Sequence, residues 1–173
     1  MAIPVGLYLG INAAYSLRLK HVPVVDLFCV ASGFLLRVFA GARAIDVPVS
    51  SWMLITTLCL ALYLAAIKRR QELETRGTDG RAVLDSYTVR LLDRYAEMSG
   101  VAALLFYGLF VIEVRPALAI SIPFVLFGLF RYWYLVERQG AGESPTDALW
   151  NDGPLALTVL AWGALSGYIV WGG

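Results

Sequence analysis

The polar residues of this chain that could take part in chemistry form short groups within a very apolar sequence. The first group lies in the segment YSLRLKHVPVVD, which contains Tyr15, Lys20 and Asp26. Asp26 stands at the start of a long apolar run, and Arg37 follows on a similar helix face, eleven residues or about three turns later. Ionisable side chains at membrane depth are costly, so they normally face a wet cavity or a charged partner. We therefore expect both side chains to face such surroundings.

A second group, KRRQELE, lies at the end of another apolar run. Contact with anionic lipid headgroups would account for the basic residues Lys68 and Arg69. It does not account for Glu72, which follows within about one helical turn and therefore shares a helix face with them. This spacing favours a mixed acid and base group that does more than anchor a helix end.

Weaker candidates lie further along the chain. Tyr87 and Arg90 fall in a segment predicted to be a loop, and Arg131 lies between apolar residues in RYWYLVER. Salt bridges between helices would explain some of these groups. A water-filled polar pocket that opens to the cytoplasm would explain all of them.

The chemistry of the groups indicates what such a pocket would bind. Lysine and arginine bind phosphate oxygens, and tyrosine adds a hydrogen bond. Carboxylates suit Mg²⁺, which takes few protein ligands and keeps waters and substrate phosphates. An apolar flank suits an isoprenoid chain. The residues thus predict a membrane protein that handles a diphosphate-bearing substrate together with a lipid.

The composition predicts that membrane-spanning helices position these groups. Of the 173 residues, 59% are hydrophobic and only 16% are charged, and the mean hydropathy is +0.69. A soluble domain of this length needs a more polar surface. The net charge of +1 provides no basic field for nucleic acid, so we expect no nucleic-acid partner.

Five apolar runs are candidates for spans of about 20 residues. They cover residues 22–45, 50–67, 98–112, 116–136 and 154–171. The apolar stretch 1–15 is short for a span and predicts a partial helix. The predicted fold is therefore an all-α, polytopic transmembrane helix bundle that forms one membrane domain over residues 1–173.

The charges of the connecting segments predict the orientation of the chain. Residues 17–21, 68–94 and 137–152 carry ten lysines and arginines, whereas residues 43–50 and 113–115 carry two. Because cytoplasmic loops are enriched in these residues, the first set is expected in the cytoplasm. The C-terminus is then expected outside the inner (cell) membrane.

The quoted motifs resemble the intramembrane UbiA prenyltransferase superfamily. The pattern Tyr15-x4-Lys20-x5-Asp26 is followed two spans later by KRRQELE. The segments FLLRVFAGARAIDVPVSSWMLI and FRYWYLVERQGAGESPTDALWNDGPL are similar to the branch of polyprenyl-phosphate phosphoribosyltransferases. The resemblance covers nearly the whole chain and corresponds to the C-terminal part of a nine-helix fold.

The resemblance implies an activity and a cofactor. Members of this branch transfer 5-phosphoribose from phosphoribosyl diphosphate to a polyprenyl (decaprenyl) phosphate, and Mg²⁺ holds the diphosphate leaving group. The resemblance also implies roles for individual residues. Asp26 and Glu72 are the candidate catalytic residues and metal ligands. The candidate substrate-binding residues are Tyr15, Lys20, Lys68, Arg69, Tyr87, Arg90 and Arg131.

One departure from the family pattern leaves other functions open. The first acidic motif, of the NDxxDxxxD kind, does not follow Asn12 and is expected upstream of Met1. A second polypeptide or a homo-oligomer could complete the cavity. One alternative is a prenyltransferase that moves an isoprenoid from its diphosphate to an aromatic or tetrapyrrole acceptor. Another is a non-catalytic membrane subunit of a larger complex.

Overall fold

The computed structural model of the chain describes residues 15, 18–44, 46–76 and 82–172. These parts of the chain contain six α-helices and no β-strand. The helices are α1 (Val25–Ala44), α2 (Ser51–Arg76), α3 (Val89–Val114), α4 (Ile122–Gln139), α5 (Pro145–Asn151) and α6 (Gly153–Trp171). Short 3-10 helices cover Leu19–His21, Ala82–Ser86 and Pro116–Ser121.

Five helical segments are long and apolar enough to cross a membrane. They are α1, α2, α3, the segment Pro116–Gln139 that includes α4, and α6. This result confirms the predicted all-α, polytopic transmembrane bundle, with one helix for each predicted span. The partial helix predicted for residues 1–15 lies outside the described residues except for Tyr15, and so does Asn12.

The helices α2 and α3 extend far beyond the predicted spans. The prediction of a loop over residues 75–94 is therefore wrong at both ends, because residues 75–76 belong to α2 and residues 89–94 belong to α3. Helix α2 continues through KRRQELE to Arg76, and α3 begins at Val89. Ion pairs from Arg69 to Glu72 and from Arg70 to Glu74 support the added turns of α2. At the start of α3, the Thr88 hydroxyl accepts a hydrogen bond of 3.2 Å from the Leu91 N–H.

Polar helix ends gather on one side of the bundle. Because successive spans cross in opposite directions, the helix ends at Val25, Arg76, Val89, Gln139 and Gly153 lie together, and we call this side the polar end. A buried apolar cluster beneath the polar end joins α1, α2, α3 and the 3-10 helix Ala82–Ser86. Its members are Leu27, Ala65, Val83, Tyr87 and Leu92. This cluster fixes the start of α1 against the end of α2.

A second apolar cluster packs α4 and α6 against α2 and α3. It contains Tyr63 of α2, Ala96 of α3, Val136 of α4 and Leu155 of α6. Within it, Gly100 of α3 lies against the Tyr63 ring, and a Cβ atom added at Gly100 would come within 3.2 Å of Tyr63 Cδ2. The glycine therefore permits a close approach of α2 and α3.

The substitution Gly100→Ala is expected to destabilise the protein. Alanine normally stabilises a helix by about 0.5–1 kcal/mol relative to glycine. At Gly100 we expect overpacking to outweigh this gain and to leave a net loss of about 1–2 kcal/mol. The Tyr63 ring is hard to displace because it is buried between the rings of Tyr132 and Trp133.

The matched control is Gly108→Ala on the same helix, where an added Cβ would meet nothing within 4 Å. Thermal unfolding in detergent should show a lower midpoint for Gly100→Ala and an equal or higher midpoint for Gly108→Ala. Equal gains at both positions would contradict the close packing of α2 and α3.

Candidate functional site

Arg69 is the centre of a buried polar cluster at the polar end. Its Nε donates to Asp26 Oδ2 at 2.9 Å, and its Nη1 donates to Glu72 Oε2 at 2.8 Å. Its Nη2 lies 3.4 Å from the Tyr15 hydroxyl oxygen, to which it donates. The exposed fractions are 0% for Asp26, 5% for Arg69 and 8% for Glu72. The structure therefore brings together residues from α1 and α2 that lie far apart in the sequence.

Tyr87 completes the surroundings of Asp26. Its hydroxyl donates to Asp26 Oδ1 at 2.7 Å, and it accepts a hydrogen bond of 2.6 Å from the Val24 N–H. Burial raises the pKa of the Tyr87 hydroxyl, and the hydrogen bond to Asp26 raises it further. The hydroxyl therefore remains a proton donor at neutral pH. Both carboxylate oxygens of Asp26 are thus engaged, one by Tyr87 and one by Arg69.

Val24 has a strained backbone conformation, and its N–H donates to Tyr87 of this cluster. Val24 has φ 67°, a left-handed conformation that is rare for a β-branched residue and costs about 1–3 kcal/mol. The strained residue directs its N–H to Tyr87 and lies two residues before Asp26. The turn that contains Val24 therefore contributes to the position of the Asp26 side chain.

A second charged cluster surrounds Arg70 and ties three helices together. The Arg70 guanidinium donates to Asp93 Oδ1 at 2.6 Å, to Glu74 Oε2 at 2.8 Å and to Glu137 Oε1 at 2.6 Å. These carboxylates belong to α3, α2 and α4. None of the four residues is among the predicted site residues. The spacing of Arg70 and Glu74 was the only local signal in the sequence for this cluster.

Arg131 lies in a separate pair that joins α4 to α6. Its guanidinium binds both carboxylate oxygens of Asp152, at 3.0 and 2.8 Å. Asp152 Oδ1 also accepts a hydrogen bond of 2.9 Å from the Leu155 N–H, which caps the start of α6. The hydrogen bonds from Arg131 hold the pKa of the Asp152 carboxyl below its ordinary value. This pairing indicates a structural contribution from Arg131, whereas its predicted role in substrate binding stays a prediction.

The remaining predicted cations lie at the surface of the polar end. Lys20 and Lys68 are exposed, and they flank Asp26 and Arg69 in the sequence. Arg90, near the start of α3, is exposed as well. Arg37 is exposed in the middle of α1, with its guanidinium 5.4 Å from the centre of the Phe34 ring. The buried surroundings of Asp26 are therefore not shared by Arg37.

The two candidate metal ligands do not fit a Mg²⁺ site as they are arranged. The positively charged Arg69 guanidinium binds both Asp26 and Glu72, and the second Asp26 oxygen accepts from Tyr87. The part of the chain that the structure describes contains no group of three or more His, Cys, Asp or Glu side chains suited to a metal ion. The predicted metal ligation by Asp26 and Glu72 stays a prediction.

The fold and this site define a multi-pass membrane protein with a buried charge network at one end of its helix bundle. No family model matches the chain. Sequence comparison with curated proteins does find relatives. The chain is 35% identical to a decaprenyl-phosphate phosphoribosyltransferase of Mycobacterium tuberculosis, over 98% of this chain and 58% of the relative.

Two further relatives carry the same name. The protein of Mycolicibacterium smegmatis is 33% identical over 94% of this chain and 56% of its own length. That of Corynebacterium glutamicum is 31% identical over 94% of this chain and 52% of its own length. The chain is thus similar to decaprenyl-phosphate phosphoribosyltransferases over nearly all of its length, and the predicted resemblance to them is confirmed. It spans somewhat more than half the length of these relatives.

Proposed function

We propose that this chain forms part of an enzyme that transfers 5-phosphoribose from phosphoribosyl diphosphate to decaprenyl phosphate. The observation that carries the proposal is the similarity to proteins of that name over 94–98% of this chain. The buried charge network at the polar end provides a site of matching chemistry, because it orders cationic and hydroxyl groups next to a membrane.

In the proposed reaction, an oxygen of the lipid phosphate attacks the anomeric carbon of the sugar. A new carbon–oxygen bond forms there, the bond from that carbon to the diphosphate breaks, and diphosphate leaves with the bonding electrons. Negative charge accumulates on the leaving group, so cations near it lower the barrier. Mg²⁺, when bound, would neutralise part of this charge.

The described residues support a division of tasks within this site. Lys20 and Lys68 are exposed and can approach phosphate oxygens from the water-filled side. Arg69 is held in place by Asp26 and Glu72, which leaves its guanidinium ordered and buried. A rigid cation needs little reorganisation when charge develops on the substrate. We propose that Asp26 and Glu72 act in this reaction by positioning Arg69.

We further propose that the polar end faces the cytoplasm, across the inner membrane from the C-terminus. The excess of lysine and arginine in the segments of this end supports the orientation. Phosphoribosyl diphosphate is a highly charged, water-soluble donor, so it has to reach the site from an aqueous compartment. An exposed polar end with Lys20, Lys68 and Arg90 suits such an approach.

The test is a transfer assay in membranes that contain decaprenyl phosphate. The protein is supplied with labelled phosphoribosyl diphosphate, first as this chain and then together with the other membrane proteins of its native host. A labelled lipid that retains the 5-phosphate is expected when the site is complete. Transfer of an isoprenoid from its diphosphate to an aromatic acceptor, with no labelled lipid, would overturn the proposal.

A non-catalytic membrane subunit of a larger complex is a second candidate. The two functions differ in what the purified native protein contains. A stoichiometric complex without transfer activity would support the subunit. A companion chain that restores transfer would support the enzyme.

A further inference from the structure

An apolar groove lies between α3 and α4, away from the Arg69 cluster. Its volume is about 520 Å³, and Tyr63 of α2 lines it together with residues of both helices. Helix α3 contributes Val101 and Leu104, and α4 contributes Leu126 and Phe130. The volume is in the range of ligand pockets of about 300–1,000 Å³. Both helices are long and apolar enough to span the membrane, and most of the side chains that line the groove are apolar. The groove therefore suits an apolar chain.

The end of the groove nearest the polar end is charged. Glu97 of α3 and Arg138 of α4 both line it there, and both side chains are exposed. In the part of the chain that the structure describes, neither forms a salt bridge. Tyr134, about one turn before Arg138, adds a hydroxyl group to the same end. A second carboxylate, Glu137, lines the groove as well but is held by Arg70. The groove therefore offers the Arg138 cation and the Glu97 carboxylate above an apolar channel.

We propose that this groove binds one zwitterionic phospholipid with a phosphoethanolamine headgroup. The lipid phosphate would interact with Arg138 and Tyr134, and the lipid ammonium group would interact with Glu97. One acyl chain would lie along Val101, Leu104 and Phe130. An anionic headgroup without an amine would pair with Arg138 but would place no cation near Glu97. Charge complementarity therefore favours the zwitterionic lipid over an anionic one.

This site does not depend on the proposed transferase activity, because the two sets of residues are separate. The groove contains none of Tyr15, Asp26, Arg69, Glu72 and Tyr87. One contact links it to the rest of the polar end, since Glu137 lines the groove and accepts a hydrogen bond from Arg70. A bound lipid is therefore expected to stabilise the junction of α2, α3 and α4.

The test uses the whole chain, purified in a mild detergent and depleted of lipid. Native mass spectrometry and thermal unfolding are recorded after addition of dioleoyl-phosphatidylethanolamine or dioleoyl-phosphatidylglycerol. We expect one retained phosphatidylethanolamine, a higher unfolding midpoint with that lipid and weaker binding of phosphatidylglycerol. Glu97→Gln and Arg138→Gln should each weaken phosphatidylethanolamine binding about tenfold, equivalent to losing one charged contact.

Two further variants keep the test decisive. Arg94→Gln removes an exposed cation of α3 that does not line the groove, and it should leave lipid binding unchanged. Val101→Trp fills the groove at an exposed position and should abolish retention of the lipid. Equal binding of both lipids with no effect of the Gln variants would overturn the proposal. Dimers of the chain that Val101→Trp disrupts would also overturn it, because a second copy would then occupy the groove.

Discussion

Replacing Arg69 by alanine is expected to lower the free energy of unfolding by about 3–5 kcal/mol, the cost of breaking a buried ion pair from one side. Asp26 would lose the cation bound to Oδ2 while remaining inaccessible to water. Glu72 would lose its ion pair with Arg69 at the same time. The unfolding midpoint in mixed micelles, by heat or by a denaturing detergent, measures this loss.

The double variant Arg69→Met with Asp26→Leu is the control for charge burial. Replacing both members of a buried pair by apolar side chains is often neutral or stabilising. Only part of the lost stability should return, because Glu72 still lacks the Arg69 ion pair and Tyr87 loses its acceptor on Asp26. Arg94→Ala removes an exposed arginine at the same end of the bundle and should stay within about 0.5 kcal/mol of the parent protein. If Arg69→Ala behaves like Arg94→Ala, the cluster is hydrated and does not hold α1 against α2.

Hydropathy predicted all five spans found among the described residues but missed the length of two helices. A hydropathy pattern reports which residues can lie in lipid, whereas helix length also depends on caps and side-chain pairs beyond the lipid. Helix α2 gains its last turns from ion pairs of Arg69 and Arg70, and α3 gains its first turns from the cap at Thr88. These turns carry the charged site.

Within the site, only contacts between residues close together in the sequence could be predicted. Arg69 and Glu72 lie three residues apart, so their contact follows from helix geometry. The contact of Arg69 with Asp26 spans 43 residues in the sequence and depends on how α1 packs on α2. Arg69 and Arg70 point about 100° apart on one helix. They therefore reach different clusters, and the sequence does not indicate which arginine faces which helix.

The predicted metal ligands illustrate a further limit of sequence reasoning. Asp26 and Glu72 are carboxylates at the mouth of a predicted pocket, and that chemistry suits a cation. In the structure the cation they bind is the guanidinium of Arg69. Residue types alone indicate that a carboxylate needs a positive partner, but they do not distinguish an arginine from a metal ion.

Replacing Lys68 by alanine is expected to lower the rate of phosphoribose transfer by about 10²-fold, the typical effect of removing one group that stabilises developing charge. The same loss is expected for Lys20→Ala. Both lysines are exposed, so neither change should alter the unfolding midpoint by more than about 0.5 kcal/mol. Lys68→Arg keeps the charge and should retain more activity than Lys68→Ala.

Measuring the transfer rate and the unfolding midpoint together separates catalysis from stability. Arg69→Ala should lower both quantities, whereas the two lysine variants should lower only the transfer rate. Labelled transfer to decaprenyl phosphate is measured in the complete enzyme, with unfolding midpoints recorded on the same preparations. Arg94→Ala is again the matched control and should keep its transfer rate, since Arg94 contacts no residue of the Arg69 cluster among the described contacts. Unchanged transfer in both Lys20→Ala and Lys68→Ala would remove the exposed lysines from the mechanism. The ordered guanidinium of Arg69 and the exposed Arg90 would then remain, among the described residues, to bind the donor phosphates.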